Sequence, residues 1–282
     1  MEKANHGEES PVGGEDIGAK RFADFELTGK VFVVTGGANK LGLGLAEALV
    51  EAGGKVYCIG QTPGPVRKEW RHAQERVVPE GGGSLHYRPH DPSEPDQLQQ
   101  LIKAIAEESG RLDGLVAAEA YEENELDTPY RARLTVDFTG VVQACTAAAQ
   151  EMMTRQTRGT IVLVAHLSSM VASRAPLAAV LGSLNAALVQ LARDLATRWS
   201  PIHPGGGGGG IRVNCLSPGN ILMGQTAFEK EPYLKEHWAR ENAMGRLADI
   251  SEFKSAVLFL SSKASSFMTG SNLVIDGGRK QQ

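Results

Sequence analysis

A chain of 282 residues carrying 29 Lys and Arg against 33 Asp and Glu, net charge −4, suits one large domain or two small ones and lacks the basic excess of a nucleic-acid protein. Three cysteines without paired spacing (Cys58, Cys145 and Cys215) and seven scattered histidines argue for reduced thiols and against a disulfide or metal frame. No apolar run is long enough to span a membrane and the polar, acidic N-terminus shows no secretory signal, so the expectation is a cytoplasmic protein with neither a membrane nor a nucleic-acid partner.

Met1 to Lys20 is rich in Gly, Glu and Ser without periodicity and reads as a disordered tail. Val31-Phe32-Val33-Val34-Thr35 is a short continuous apolar run, the pattern of a strand buried on both faces. A Gly-rich turn follows, then a helix over Leu43–Val50 ended by Gly53-Gly54, and a second strand over Lys55–Ile59. The alternation continues with a strand at Leu85–Arg88, a helix at Glu94–Glu108 and a strand at Leu112–Ala118. A long helix Tyr130–Thr154, a strand Thr160–Ala165, a helix Leu177–Arg198 and a strand Ile211–Leu216 complete it. Strands alternating with long helices predict βαβ crossovers and one α/β domain over residues 21–282, built on a doubly wound parallel sheet. Pro204 and the six glycines Gly205 to Gly210 interrupt the rhythm and are expected to form a flexible surface loop.

Thr35-Gly36-Gly37-Ala38-Asn39-Lys40-Leu41-Gly42 lies between the first strand and the first helix. In such a fold that is where a dinucleotide pyrophosphate meets the unpaired N–H groups of a helix N-terminus. A Gly-rich turn alone is a weak signal; its position between strand and helix, at the head of a βαβ series, strengthens it.

With this turn go Arg212-Val213-Asn214-Cys215-Leu216-Ser217-Pro218-Gly219, Gly245-Arg246-Leu247, and Ser266-Phe267-Met268-Thr269-Gly270-Ser271 running into Ile275-Asp276-Gly277-Gly278. On these segments the chain, from about Phe22 to Gly278, resembles the short-chain dehydrogenase/reductase (SDR) family. The resemblance implies a single Rossmann domain and a nicotinamide cofactor. It places Gly36, Asn39, Lys40, Leu41 and Gly42 at the cofactor phosphates, Gln61 at the ribose, Asp91 at the adenine, and Ala118, Asn185, Pro218 and Ile221 further along the cofactor. The family's first-loop pattern is T-G-x-x-x-G-x-G, and Lys40 stands where its middle glycine belongs. Lys40 either crowds the pyrophosphate or offers its ammonium to a phosphate, and the 2′-phosphate of NADP is the favoured partner. The second strand ends Ile59-Gly60-Gln61-Thr62, with no carboxylate to repel a 2′-phosphate, so NADP(H) is the expected cofactor. Arg67 and Lys68 are near, although a solvated helix face is the favoured reading of each taken alone.

The catalytic residues that the resemblance implies are replaced. Asp137 stands for the Asn, His166 for the Ser, Leu181 for the Tyr and Asn185 for the Lys. The family's N-N-A-G stretch reads Ala117-Ala118-Glu119-Ala120, and Met223 replaces the Thr after Pro-Gly. Leucine cannot supply the proton that a nascent alkoxide needs. The same losses mark a fungal group within the family, the SDR-derived reductase/Diels–Alderases of prenylated indole alkaloid pathways, malbrancheamide and paraherquamide type. That resemblance implies reduction of a cyclic iminium with NADPH and a guided intramolecular [4+2] closure of a large, apolar, indole-containing substrate. It points to His166 and Arg131 as the catalytic residues; a hydrogen-bonded strand-end histidine and a surface salt bridge are the plainer readings of the two. Thr226–Arg240, with Phe228, Tyr233 and Trp238, is either an aromatic lid or core. A non-catalytic binding subunit and an ordinary carbonyl reductase using His166 are the alternatives. The Ala-rich long helices suggest a homodimer or homotetramer.

Overall fold

The computed structural model describes residues 22–61, 68–77, 82–91, 94–119, 130–172, 178–201, 210–223 and 232–279. The expected N-terminal tail, Arg67, all of the Gly loop before Gly210, and the first part of the expected lid with Phe228 lie outside them.

Seven parallel strands form one sheet: β1 (Val31–Thr35), β2 (Lys55–Gly60), β3 (Ser84–Pro89), β4 (Gly114–Ala117), β5 (Thr160–Val164), β6 (Arg212–Pro218) and β7 (Asn272–Ile275). Their spatial order is β3-β2-β1-β4-β5-β6-β7, so the chain reverses direction across the sheet between β1 and β4. The helices are α1 (Lys40–Glu51), α2 (Lys68–His72), α3 (Pro95–Ser109), α4 (Tyr130–Arg133), α5 (Val141–Thr154), α6 (Ala178–Trp199), α7 (Pro232–Arg240) and α8 (Lys254–Ser261).

The period-two rule divides each strand between two cores. Val31, Val33, Tyr57 and Ile59 join one core with Ile102 and Ile105 of α3, Cys145 and Met152 of α5 and Leu188 and Ala192 of α6. Phe32, Val34, Val56 and Cys58 join the other with Leu45 and Leu49 of α1 and Val257 and Leu260 of α8. β1 has no solvent face, which is why its sequence is an unbroken apolar run. All three cysteines are free and buried in these cores.

Two polar anchors lock the strands at their ends. Below β4, the Asp113 carboxylate accepts the Val31 N–H at 2.9 Å and both arms of the Arg111 fork at 2.7 Å, with Lys30 at 3.2 Å. On β6, the Arg212 guanidinium donates to the carbonyls of Leu260 and Ser262 at 3.0 and 2.9 Å, a cation set on the C-terminal end of α8. Next to it Asn214, fully buried, bonds the Met268 carbonyl and the Ser271 N–H and so fixes the chain entering β7.

Two departures from the sequence reading bear on the site. The first helix begins at Lys40, three residues early, because Asn39 caps it by accepting the Gly42 N–H at 2.6 Å. The long helix expected over Tyr130–Thr154 contains a π-helical segment, Leu134–Gly140, between α4 and α5. One extra residue per turn there changes which side chains face the sheet, a shift that apolar spacing alone does not reveal.

Candidate functional site

The crevice lies at the carboxyl ends of β1, β4, β5 and β6, where the order reverses. Its floor is the turn after β1. Gly36 takes φ +65°, and a Cβ there would stand 2.2 Å from the Ala118 carbonyl oxygen. Gly42 is equally constrained, with Gly36 O at 2.3 Å from an added Cβ. Asn39 organises the turn: its side-chain amide donates to Ala118 O at 3.0 Å while its oxygen caps α1. The amides of Lys40 and Leu41 then lie in the first turn of α1, where no helical carbonyl precedes them. A backbone that admits no side chain, running into unpaired amides, fits a dinucleotide pyrophosphate.

Lys40 is not where a 2′-phosphate needs it. Its ammonium donates to the Met223 carbonyl at 2.7 Å, beyond β6. The ribose of the adenosine half belongs at the end of β2, on the opposite side of β1, so the expected contact with a 2′-phosphate is corrected to a tie across the crevice. At the β2 end Gln61 is exposed and its carbonyl accepts the Tyr87 hydroxyl at 2.7 Å. Asp91 follows β3 and is exposed. Pro218 ends β6, and Ile221 pairs with Ala248 in an isolated bridge.

His166 follows β5. Its Nδ1 accepts the Ser168 N–H at 3.1 Å, capping a short 3-10 turn, so the ring proton sits on Nε2. Burial pulls its pKa down to about 4, which keeps the ring neutral near pH 7 and removes the imidazolium that a replacement acid requires. Asn185 on α6 donates to the Leu181 carbonyl at 2.7 Å and to Ser168 Oγ at 3.3 Å, tying α6 to the same turn.

Arg131 is exposed at the head of the long helix, and its backbone carbonyl accepts the Thr135 hydroxyl at 2.9 Å. The arginine taken into the protein is Arg133, 4% exposed. The exposure of Arg131 accords with the surface reading of the two kept open for it. Sequence reading also missed Glu119, the residue after Ala118. Its carboxyl is pushed up to about 7, first by removal from water and also by the charge of Asp137. The available signal was a carboxylate directly ending the apolar run Leu115-Val116-Ala117-Ala118, because a buried polar group is the informative exception. Among the described residues no cluster of three or more His, Cys, Asp or Glu could hold a metal, and no helix is long and apolar enough to cross a membrane.

A single-domain, seven-stranded parallel α/β protein with a nucleotide-type crevice at its topological switch is the class that this geometry defines. The family described as enoyl-(acyl carrier protein) reductase matches residues 36–280. A short-chain dehydrogenase/reductase of Aspergillus versicolor, notP′, is 30% identical over 265 residues, 90% of this chain and 88% of that protein. The NADP-dependent mannitol dehydrogenase of Hypocrea jecorina is 29% identical over 269 residues, 92% of this chain and 96% of that protein. The crystal structure of an NADPH-dependent 3-quinuclidinone reductase from Rhodotorula rubra superposes with a TM-score of 0.79 at 23% identity, over 99% of this chain and 100% of that one, a likeness of fold. The chain belongs to the short-chain dehydrogenase/reductase family of NAD(P)-dependent oxidoreductases.

Proposed function

We propose that this protein is an NADP(H)-dependent reductase acting on a substrate already activated as an iminium, within indole alkaloid secondary metabolism, and that its pocket guides a following intramolecular [4+2] closure. The observation that carries the reading is the chemistry around α6 and the end of β5. Leu181 offers no proton, Asn185 is tied to the Leu181 carbonyl and Ser168, and His166 is held neutral. Adding a hydride to a ketone creates an oxyanion that needs an acid or strong donors; adding it to an iminium creates a neutral amine that needs neither. The cyclisation asks only for a shaped pocket holding the reacting ends in a near-attack pose.

The bound nicotinamide supplies the hydride. The chain's part is to hold and orient. The amides of Lys40 and Leu41 take the pyrophosphate, and the Lys40 ammonium, with one N–H on Met223 O, keeps two for phosphate oxygens. Gly60 and Gln61 set no carboxylate against a 2′-phosphate; the NADP dependence in the name of the Hypocrea relative supports that choice. Asp91 takes the adenine, Asn185, Pro218 and Ile221 flank the nicotinamide half, and His166 presents Nε2–H as a neutral donor to a polar atom of the substrate.

The test is incubation with NADPH and a reactive prenylated, dipeptide-derived iminium, beside a ketose. Oxidation of NADPH by the iminium only, with a product stereochemistry that differs from the spontaneous one, is expected. Turnover of the ketose, with no effect on the iminium or its product ratio, sinks the proposal. A second reading, a non-catalytic binding subunit, draws on the Lys40–Met223 tie spanning the crevice; failure to bind NADPH in a fluorescence titration would select it.

A further inference from the structure

The end of β2 is the place of the adenosine ribose in a fold of this kind. Three successive carbonyls there are each taken by a neighbour. The Ile59 carbonyl accepts the Gly37 N–H at 3.0 Å, and the Gly60 carbonyl accepts the His90 N–H at 2.8 Å. The Gln61 carbonyl accepts the Tyr87 hydroxyl at 2.7 Å, from 26 residues away. The first two donors are backbone amides, present whatever the side chain; the third belongs to a side chain and depends on its identity.

Packing aims that side chain. Tyr87 pairs with Cys58 in the β2–β3 register, so it shares a face of the sheet with Cys58 and Gly60. Trp70 of α2, 7% exposed, stands edge-on to the Tyr87 ring with centroids 5.6 Å apart. A Cβ on Gly60 would lie 2.6 Å from the Ala38 Cβ and 3.3 Å from the Tyr87 hydroxyl oxygen, so the strand end runs close between the first loop and this hydroxyl. Burial holds the Tyr87 pKa above its ordinary value, so the hydroxyl keeps its proton and remains a donor.

We propose that Tyr87 determines cofactor preference: by occupying the Gln61 carbonyl it favours a 2′-phosphate over a 2′-hydroxyl at the end of β2. The proposal rests on the cofactor reading above. Above pH 7 a 2′-phosphate carries close to two negative charges and only accepts hydrogen bonds, whereas a ribose hydroxyl also donates. An available acceptor at the 2′ position therefore opposes NADPH and suits NADH. Gln61 brings no carboxylate, and the carbonyls of Ile59 and Gly60 are held by amides, so the Gln61 carbonyl is the acceptor that remains to be covered. Tyr87 covers it. Its proton either stays on Gln61 O or turns to a phosphate oxygen, and in both arrangements the hydroxyl acts as a donor in favour of the phosphate. Without the hydroxyl, the carbonyl is left to accept from a 2′-hydroxyl.

The experiment uses Tyr87→Phe, which keeps the ring against Trp70 and removes the hydroxyl alone. The whole protein and the variant are titrated with NADPH and with NADH by reduced-nicotinamide fluorescence, at one ionic strength and about pH 8, where the 2′-phosphate is ionised. The ratio of the two dissociation constants is expected to move toward NADH by roughly 3- to 10-fold, the contribution of one hydrogen bond between neutral groups. The change should consist of weaker NADPH binding, with NADH binding unchanged or tighter. Displacement of bound NADPH by adenosine 2′,5′-bisphosphate and by 5′-AMP should show the same shift, which assigns it to the adenosine end. An unchanged ratio, even with both affinities reduced, means that Tyr87 only supports the fold and overturns the proposal. A shift toward NADPH means that the hydroxyl accepts from the 2′-hydroxyl, and overturns it as well. Either result leaves the cofactor reading standing. Failure of the wild-type protein to bind either dinucleotide overturns the cofactor reading, and the proposal with it.

Discussion

Lys40→Met separates the ways in which this lysine can act. Methionine keeps an unbranched stem of similar length and removes only the ammonium. The wild-type ammonium donates one N–H to Met223 O at 2.7 Å, so two donors remain for an anion in the crevice below. One charge-assisted hydrogen bond to phosphate contributes about 1.5–3 kcal/mol. Its loss is expected to weaken NADPH binding by roughly 10- to 100-fold. The direction of the side chain adds a second expectation. Since Lys40 leans toward the β6 side and away from the end of β2, the loss should be equal for NADPH and NADH. Binding is measured by quenching or enhancement of reduced-nicotinamide fluorescence at fixed ionic strength, because salt screens the interaction. Unchanged or tighter binding by the variant would mean that the Met223 tie obstructs the crevice, and would refute the role given to Lys40. A loss confined to NADPH would return Lys40 to the 2′-phosphate.

Three other perturbations test the frame. Gly36→Ala places a Cβ 2.2 Å from the Ala118 carbonyl oxygen on a residue at φ +65°, so a loss of about 2–4 kcal/mol in denaturant unfolding and loss of NADPH binding are expected. Wild-type behaviour on both counts would contradict the close approach. Asp113→Asn leaves Arg111 and Lys30 without their carboxylate, but both side chains are about two-fifths exposed (42% and 40%) and can turn to water, so the cost should stay near 3 kcal/mol. The stability of the ligand-free protein should depend on pH at two half-buried groups. Glu119 holds its proton more tightly folded than unfolded, so stability falls as pH rises from about 4.5 to about 7, and Glu119→Gln removes that fall. His166 binds its proton less tightly folded, so stability falls as pH drops from about 6.5 toward 4, and His166→Asn, which retains a cap acceptor, removes that loss. The two contributions oppose each other in wild type, so the difference between each variant's melting curve and that of wild type across pH reads them separately, and a difference of the wrong sign in either variant would contradict the shift assigned to that group.

Much of the frame is legible in residue order. Val31–Thr35 reads as a doubly buried strand because a central parallel strand has no solvent face, and every one of its residues is buried. The turn from Gly36 to Gly42 reads as a nucleotide loop because glycine is demanded wherever backbone meets backbone, here Ala118 O over Gly36 and Gly36 O over Gly42. The apolar pattern starts three residues after the true start of α1, because Lys40 to Gly42 carry little apolar signal and the Asn39 cap fixes the boundary.

The site was less legible. Arg131 and Arg133 look alike in sequence, and only the helical phase, altered by the π segment that follows, decides that Arg133 is buried and Arg131 is exposed. His166 looked able to act as an acid because a free imidazole titrates near 6.5; burial and the Ser168 N–H on Nδ1 are what make it a neutral cap.

Local pattern therefore determined what depends on short-range rules: strand periodicity, the glycines of a tight turn, and the absence of an acid at Leu181. Charge state and the reach of long side chains were decided by tertiary structure, since both depend on groups far apart in the chain. Lys40 meets a carbonyl 183 residues away, and Glu119 takes its proton affinity from its removal from water and the charge of Asp137. Electrostatic energy grows as water is excluded, and only the folded chain determines where water is excluded.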